Sequence, residues 1–134
     1  MRYSAALICC LLLLASPANA CLGLSLEDTI FFKTIPEPRP DADIIAKVSL
    51  FDADDGTAVA RILQVLDTSD SRIHTGDKVD LKFRMTSCGP NLKPGEEGII
   101  IAKARRDGDG RLVLHSYLRR YHDNRITPPS MAER

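Results

Sequence analysis

The chain has 134 residues, with 18 basic and 18 acidic side chains, four cysteines and no tryptophan. That length suits one small domain, and the even charge balance argues against the basic footprint of a nucleic-acid binder.

Residues 1–20 read as an export signal. Arg2 supplies the positive start, Ala5 to Ala15 is unbroken apolar sequence, Pro17 breaks it, and Ala18-Asn19-Ala20 has the small–x–small form of a cleavage site. The apolar run is about 11 residues against the ~20 of a membrane-spanning helix, and none of that length follows, so no transmembrane segment is expected. The mature chain then begins at Cys21 and is secreted or periplasmic. Losing Arg2 leaves the acidic residues in excess by one.

Cleavage also removes Cys9 and Cys10, leaving Cys21 and Cys88. Two cysteines in a small exported chain suggest one disulfide. It would close a loop of about 68 residues and contribute about 4 kcal/mol by the chain-entropy estimate. It would also pin a terminus that ordinarily frays. The alternative is a lipoprotein, anchored to a membrane by acylation of Cys21. Its signal usually has an aliphatic residue three before the cysteine and then two small ones, where this chain has Ala18, Asn19 and Ala20. One sulfur cannot serve both ends.

The body of the chain reads as all-β. Residues 36–43 form a Pro-rich arm without regular structure. A first strand, Ile44 to Phe51, ends in the turn cluster Asp52-Ala53-Asp54-Asp55-Gly56, and Thr57 to Leu66 is the second. In the third, Val79 to Met85, the residues Val79, Leu81, Phe83 and Met85 share one face and Asp80, Lys82 and Arg84 the other. A loop with Cys88, Gly89, Pro90, Pro94 and Gly95 leads to a fourth strand, Gly98 to Arg105. The turn Asp107-Gly108-Asp109-Gly110 joins it to a fifth, Arg111 to Arg119. Residues 121–134 form a polar tail, expected to be flexible.

Five strands with a long connection after the third fit a closed Greek-key barrel of the OB type over residues 21–120. An open sandwich has the same string, but long, nearly continuous apolar first strands favour a barrel that curls. The expected core is Ile44 or Ile45, Val48, Val59, Leu63, Val79, Leu81, Phe83, Ile99, Ile101, Leu112 and Leu114.

Chemical motifs are sparse. The carboxylates of Asp52, Asp54 and Asp55 precede a glycine but lack the distal Glu and the spacing of a calcium loop, so a turn is the simpler reading. Asp107 and Asp109 are turn residues on the same grounds. His74, His115 and His122 are far apart in sequence, and none pairs with Cys or His at metal-ligand spacing. There is no Gly-x-Ser-x-Gly elbow, and a disulfide-bonded Cys88 is no nucleophile. The expectation is a non-enzymatic protein without cofactor or resident metal. Lys82 and Arg84 offer charge on the third strand but no aromatic platform for stacked bases, which disfavours nucleic acid and leaves room for an anionic envelope component.

A mature chain that starts on cysteine and is bonded to a later Cys-Gly on a five-stranded barrel resembles the netrin-type domain of the tissue inhibitors of metalloproteinases. The matching segments are Cys21, Asp43 to Val48, Gly76 to Val79, Cys88-Gly89, Glu97 to Ala104 and Gly110 to Leu112. Together they span most of Cys21 to Leu118. The resemblance implies an inhibitory wedge of Cys21, Leu22, Gly23 and Leu24. A free α-amine ordinarily titrates at ~7.7–8.0, so the Cys21 amine is neutral in part near pH 7. That amine and the Cys21 carbonyl oxygen would chelate the zinc of a metalloprotease, at the coordination position a catalytic zinc keeps open. Leu22 would enter the pocket beside the metal. The sequence departs from those inhibitors at Gly23, where they carry a second cysteine, and at Leu22, where they usually carry Thr or Ser. The plainer expectation is a stapled module that binds some protein partner through other surfaces.

Overall fold

The computed structural model describes residues 27–131; residues 1–20, read above as an export signal, and Cys21, Leu22, Gly23 and Leu24 lie outside the described residues. The described residues form strands and no helix: β1 (Asp28–Thr29), β2 (Ile44–Asp54), β3 (Thr57–Thr68), β4 (Lys78–Lys82), β5 (Glu97–Arg106), β6 (Leu112–Ser116), β7 (Leu118–Arg120) and β8 (Ile126–Thr127).

β2 to β6 close into a barrel in the order β2-β3-β4-β6-β5, while β1, β7 and β8 form a small separate sheet. In the barrel β4 and β6 run parallel and every other pair is antiparallel. A meander of three strands, a fourth that returns to the first, and a parallel third–fifth pair make the OB arrangement.

Closure depends on β2. This strand pairs with β3 on one side and β5 on the other, and its register with β3 shifts at Ile45/Ala46, Lys47/Val48 and Leu50/Asp52. Such bulges add local twist and bend a strand, which lets an 11-residue strand wrap instead of running flat. Small side chains make room inside, with Ala46, Ala58, Ala60 and Ala102 buried beside Val48, Leu50, Ile62, Leu81, Ile100 and Leu114.

The face of β3 is reversed from the expectation. Ala58, Ala60 and Ile62 point into the barrel, whereas Val59 and Leu63 are only half-buried. Residues 58–60 are apolar throughout, so period two leaves both registers open there; the exposed Arg61 between Val59 and Leu63 marks their face as outward. On β5 the run Ile99-Ile100-Ile101 is covered on both faces. Ile100 joins the barrel core, while Ile101 packs outside it with Ile45, Phe32 and Tyr117, and Ile99 is half-buried against that second cluster. Leu112 is likewise half-buried at the margin of the core. Ile44, Ile45, Val48, Val79, Leu81, Phe83, Ile101 and Leu114 are buried.

Two strands differ in extent. β4 ends at Lys82; Phe83 stays buried, its amide donating to the Gly56 carbonyl at 3.0 Å, but Met85 is 41% exposed instead of inward. The single strand Arg111 to Arg119 is two, β6 and β7. The break is at Tyr117, whose amide donates to the Ile101 carbonyl at 2.9 Å while its own carbonyl accepts from Ser116 Oγ at 3.0 Å. There the chain leaves the barrel for the small sheet. β8 in the tail pairs with β7, and Ile126 packs against the second cluster, so the tail contributes a strand that its composition does not announce.

Candidate functional site

Cys88 lies in a loop that is closed on itself. Thr86 and Gly89 exchange backbone hydrogen bonds of 2.8 and 3.3 Å, and the Cys88 amide donates to Thr86 Oγ1 at 3.2 Å. The Cys88 sulfur is disulfide-bonded. Among the described residues it is the only cysteine, so the partner lies outside them.

Onto this loop docks the first described stretch of the chain. The Asp28 amide donates to the Cys88 carbonyl at 3.2 Å, Thr86 Oγ1 donates to Asp28 Oδ2 at 3.2 Å, and Asn91 Nδ2 donates to Glu27 Oε1 at 2.8 Å. Gly89 permits the approach. Its φ is +107°, and a β-carbon there would stand 3.3 Å from the Asp28 carbonyl oxygen and 3.1 Å from the Asn91 nitrogen.

The opposite side of the same stretch is held as firmly. Asp28 and Thr29 pair with Arg120 and Arg119 of β7, and the Tyr121 amide donates to the Glu27 carbonyl at 3.0 Å. Immediately downstream Ile30 is fully buried in the barrel core and Phe32 in the second cluster. The phenylalanine and isoleucine side chains therefore nail down a segment whose polar residues face the Cys88 loop. Beside it runs an exposed rim, Arg84 to Ser87.

Glu27 and Asp28 are thus fixed next to the Cys88 loop. Cys21, Leu22, Gly23 and Leu24 lie outside the described residues, so the wedge itself is not described. Sequence reading missed Glu27, Asp28 and Asn91. They carry no periodicity, and only the apolar run Ile30-Phe31-Phe32 hinted that this stretch is anchored.

The remaining singled-out residues sit elsewhere. Asp54 Oδ1 accepts from the Asp55 amide at 2.7 Å, and Asp107 Oδ1 accepts from the amides of Asp109 and Arg111 at 3.0 and 2.9 Å. Both are turn-forming contacts. His74 lies in the loop before β4, His115 in β6 and His122 after β7. Among the described residues no group of three or more His, Cys, Asp or Glu is placed to hold a metal ion. No helix among them is long and apolar enough to cross a membrane. Lys82 and Arg84 are exposed at the mouth of a cleft at one end of the barrel.

Compared with known protein families, curated proteins and solved structures, the chain matches none. No relationship to the netrin-type domain is shown by these comparisons.

Proposed function

We propose that this chain is an exported, non-enzymatic interaction module whose N-terminal segment is held as a rigid edge by a Cys21–Cys88 disulfide. The observation that carries the reading is the clamp on Glu27 to Thr29, which fixes the chain beside a disulfide-bonded Cys88. Five residues lie between Cys21 and Glu27, and their six Cα–Cα steps, at up to ~3.5 Å each, reach back to the loop without strain on length. A terminus tied at Cys21 and clamped again at Asp28 is pre-organised, so a partner that grips it meets little ordering cost.

Intact-mass measurement on the exported protein tests this. The expected product begins at Cys21 and is lighter than the reduced chain by a pair of hydrogens. A product heavier by an acyl chain would replace the staple with a lipid anchor and the soluble module with a membrane-attached one.

The inhibitory wedge is a second reading, supported by the exposed rim Arg84 to Ser87 alongside the departing segment. In it the Cys21 amine and carbonyl bind the zinc of a metalloprotease and Leu22 fills the adjoining pocket. The mature protein then inhibits a zinc metalloprotease, and one extra alanine before Cys21 abolishes inhibition by turning the amine into an amide. Leu22→Gly weakens it by about 1.5–3 kcal/mol, the worth of one buried leucine side chain. Equal potency with and without the added alanine would eliminate the wedge and leave the module.

A further inference from the structure

At the end of the barrel distant in sequence from Cys21, the ends of β4, β5 and β6 and the tail enclose a cleft of about 910 Å³. Its lining includes Lys82, Arg84, Arg105, Arg106 and His115, against Asp107 as the one carboxylate. We propose that this cleft binds a compact ligand bearing two or more phosphate or sulfate groups.

The charges are available in different degrees. Among the described residues Lys82 and Arg84 are exposed, donate no hydrogen bond and pair with no carboxylate. Arg106 Nη1 donates to the Gly110 carbonyl at 2.6 Å, a contact that orients its guanidinium, while Arg105 donates from Nη1 to the Met131 carbonyl at 2.7 Å and engages a further group as well. A carbonyl acceptor carries no net charge to cancel a cation, and a planar guanidinium held in place, as that of Arg106 is, presents its remaining N–H groups to an oxyanion. Asp107 is already occupied as the acceptor of the Asp109 and Arg111 amides. Burial, aided by Lys82 and Arg105, holds His115 below the ordinary imidazole value, in keeping with a positive local field.

Size and surroundings restrict the ligand. The volume exceeds that of a bare inorganic ion and suits a small molecule. A neighbouring hollow of about 250 Å³ shares Lys82 and Asp107 but is lined by Asp52, Asp54 and Asp80. A long polyanion running on from the cleft would meet those carboxylates, so the complementary ligand is short. Among the described residues, Phe83 in the lining is buried and His115 half-buried, so no exposed Phe, Tyr or Trp ring is offered for stacking a base.

The proposed site shares only Arg84 with the rim beside the N-terminal segment. Its test is calorimetric titration of the protein expressed from the full sequence. The probes are inositol hexakisphosphate and sucrose octasulfate, with myo-inositol, sucrose and tetrathymidylate as comparisons. At least one of the two compact polyanions should bind saturably and more weakly as salt rises, and the uncharged sugars should not bind. The double variant Lys82→Ala/Arg84→Ala should lose roughly tenfold or more in affinity, because hydrogen bonds to charged groups are among the stronger ones. Its thermal midpoint should stay put, since both side chains are exposed and unbonded; Lys82→Gln alone serves if the double variant fails to fold. Lys47→Ala, on an exposed position of β2, should bind like the parent. Preference for the phosphate probe assigns a phosphorylated sugar or headgroup, and preference for the sulfate probe a sulfated sugar. No binding of either, binding indifferent to Lys82 and Arg84, or equal binding of tetrathymidylate would overturn the proposal.

Discussion

The barrel and the small sheet are stabilised by opposite means. The barrel core is chiefly apolar, with Ile44, Val48, Leu50, Ile62, Leu81, Ile100 and Leu114 almost completely excluded from water. The sheet of β1, β7 and β8 is short and held by directed polar contacts. Arg119 is 7% exposed, donating from Nε to the Phe31 carbonyl at 3.0 Å and from Nη1 to Asn124 Oδ1 at 3.1 Å, with its guanidinium 5.0 Å from the Tyr121 ring. Tyr117 Oη donates to the Asp41 carbonyl at 2.8 Å, and Lys103 pairs with Asp41 at 2.9 Å. Apolar burial is non-directional and shared among many residues, whereas each polar contact depends on one geometry. Damage to the barrel should therefore spread through the molecule, and damage to the sheet should stay local.

Leu81→Asp should have the largest effect. It places an unpaired charge in the barrel core and should cost at least about 4–5 kcal/mol, removing the cooperative unfolding transition. A cooperative transition at the parental midpoint would deny that this core holds the fold. Replacing Cys21 and Cys88 together with Ala should cost about 2–5 kcal/mol in denaturant melts while the barrel remains folded.

Arg119→Met tests the sheet alone. Losing its bonds to Phe31 and Asn124 should cost about 1.5–3 kcal/mol, since both involve the charged guanidinium in a part-buried setting. Hydrogen exchange should speed up in residues 27–32 and 118–127 and hardly change in β2 and β3. Uniform acceleration would show that barrel and sheet unfold as one. Gly98→Ala reaches the same boundary from the barrel side. The new β-carbon would stand 2.7 Å from Phe31 Cγ, so the ring must move, at a cost of about 1–3 kcal/mol. An unchanged midpoint would mean that the N-terminal segment shifts freely.

The smallest effect is one of pH. His115 titrates below the ordinary imidazole value, mainly through burial and then through Lys82 and Arg105, with the Ser130 backbone contact acting in the opposite sense. The folded state thus favours neutral His115. Its contribution is complete above the unfolded imidazole value and is lost as pH falls below that value toward the folded one. NMR titration should place His115 below the ordinary imidazole value, and Lys82→Ala should bring it part of the way back. A midpoint unmoved by Lys82→Ala would remove Lys82 from the causes and leave burial and Arg105.

The all-β class and the closed five-stranded barrel were legible in the residues because strand periodicity and turn chemistry are local, whereas the sheet of β1, β7 and β8 was not. The alternation through Val79 and Leu81, the Asp-Gly turns and the long apolar β2 and β3 are enough to specify five strands, and their lengths favour closure. Which face of β3 turns inward was not local. Three consecutive apolar residues admit either register, and the bulges of β2 together with the space left by Ala58 and Ala60 select one. Nor was the break at Tyr117, which arises because Ile101 captures its amide and the second cluster its ring. The cysteine arithmetic and the reading of residues 1–20 as an export signal came from sequence, and with them the attention to the N-terminus. The clamp of Glu27, Asp28 and Asn91 on the Cys88 loop, and the convergence of Lys82, Arg84, Arg105 and Arg106 on one cleft, came only from the tertiary structure. Those residues lie on separate strands and loops, and no chain-local property shows which separate segments barrel closure will bring side by side.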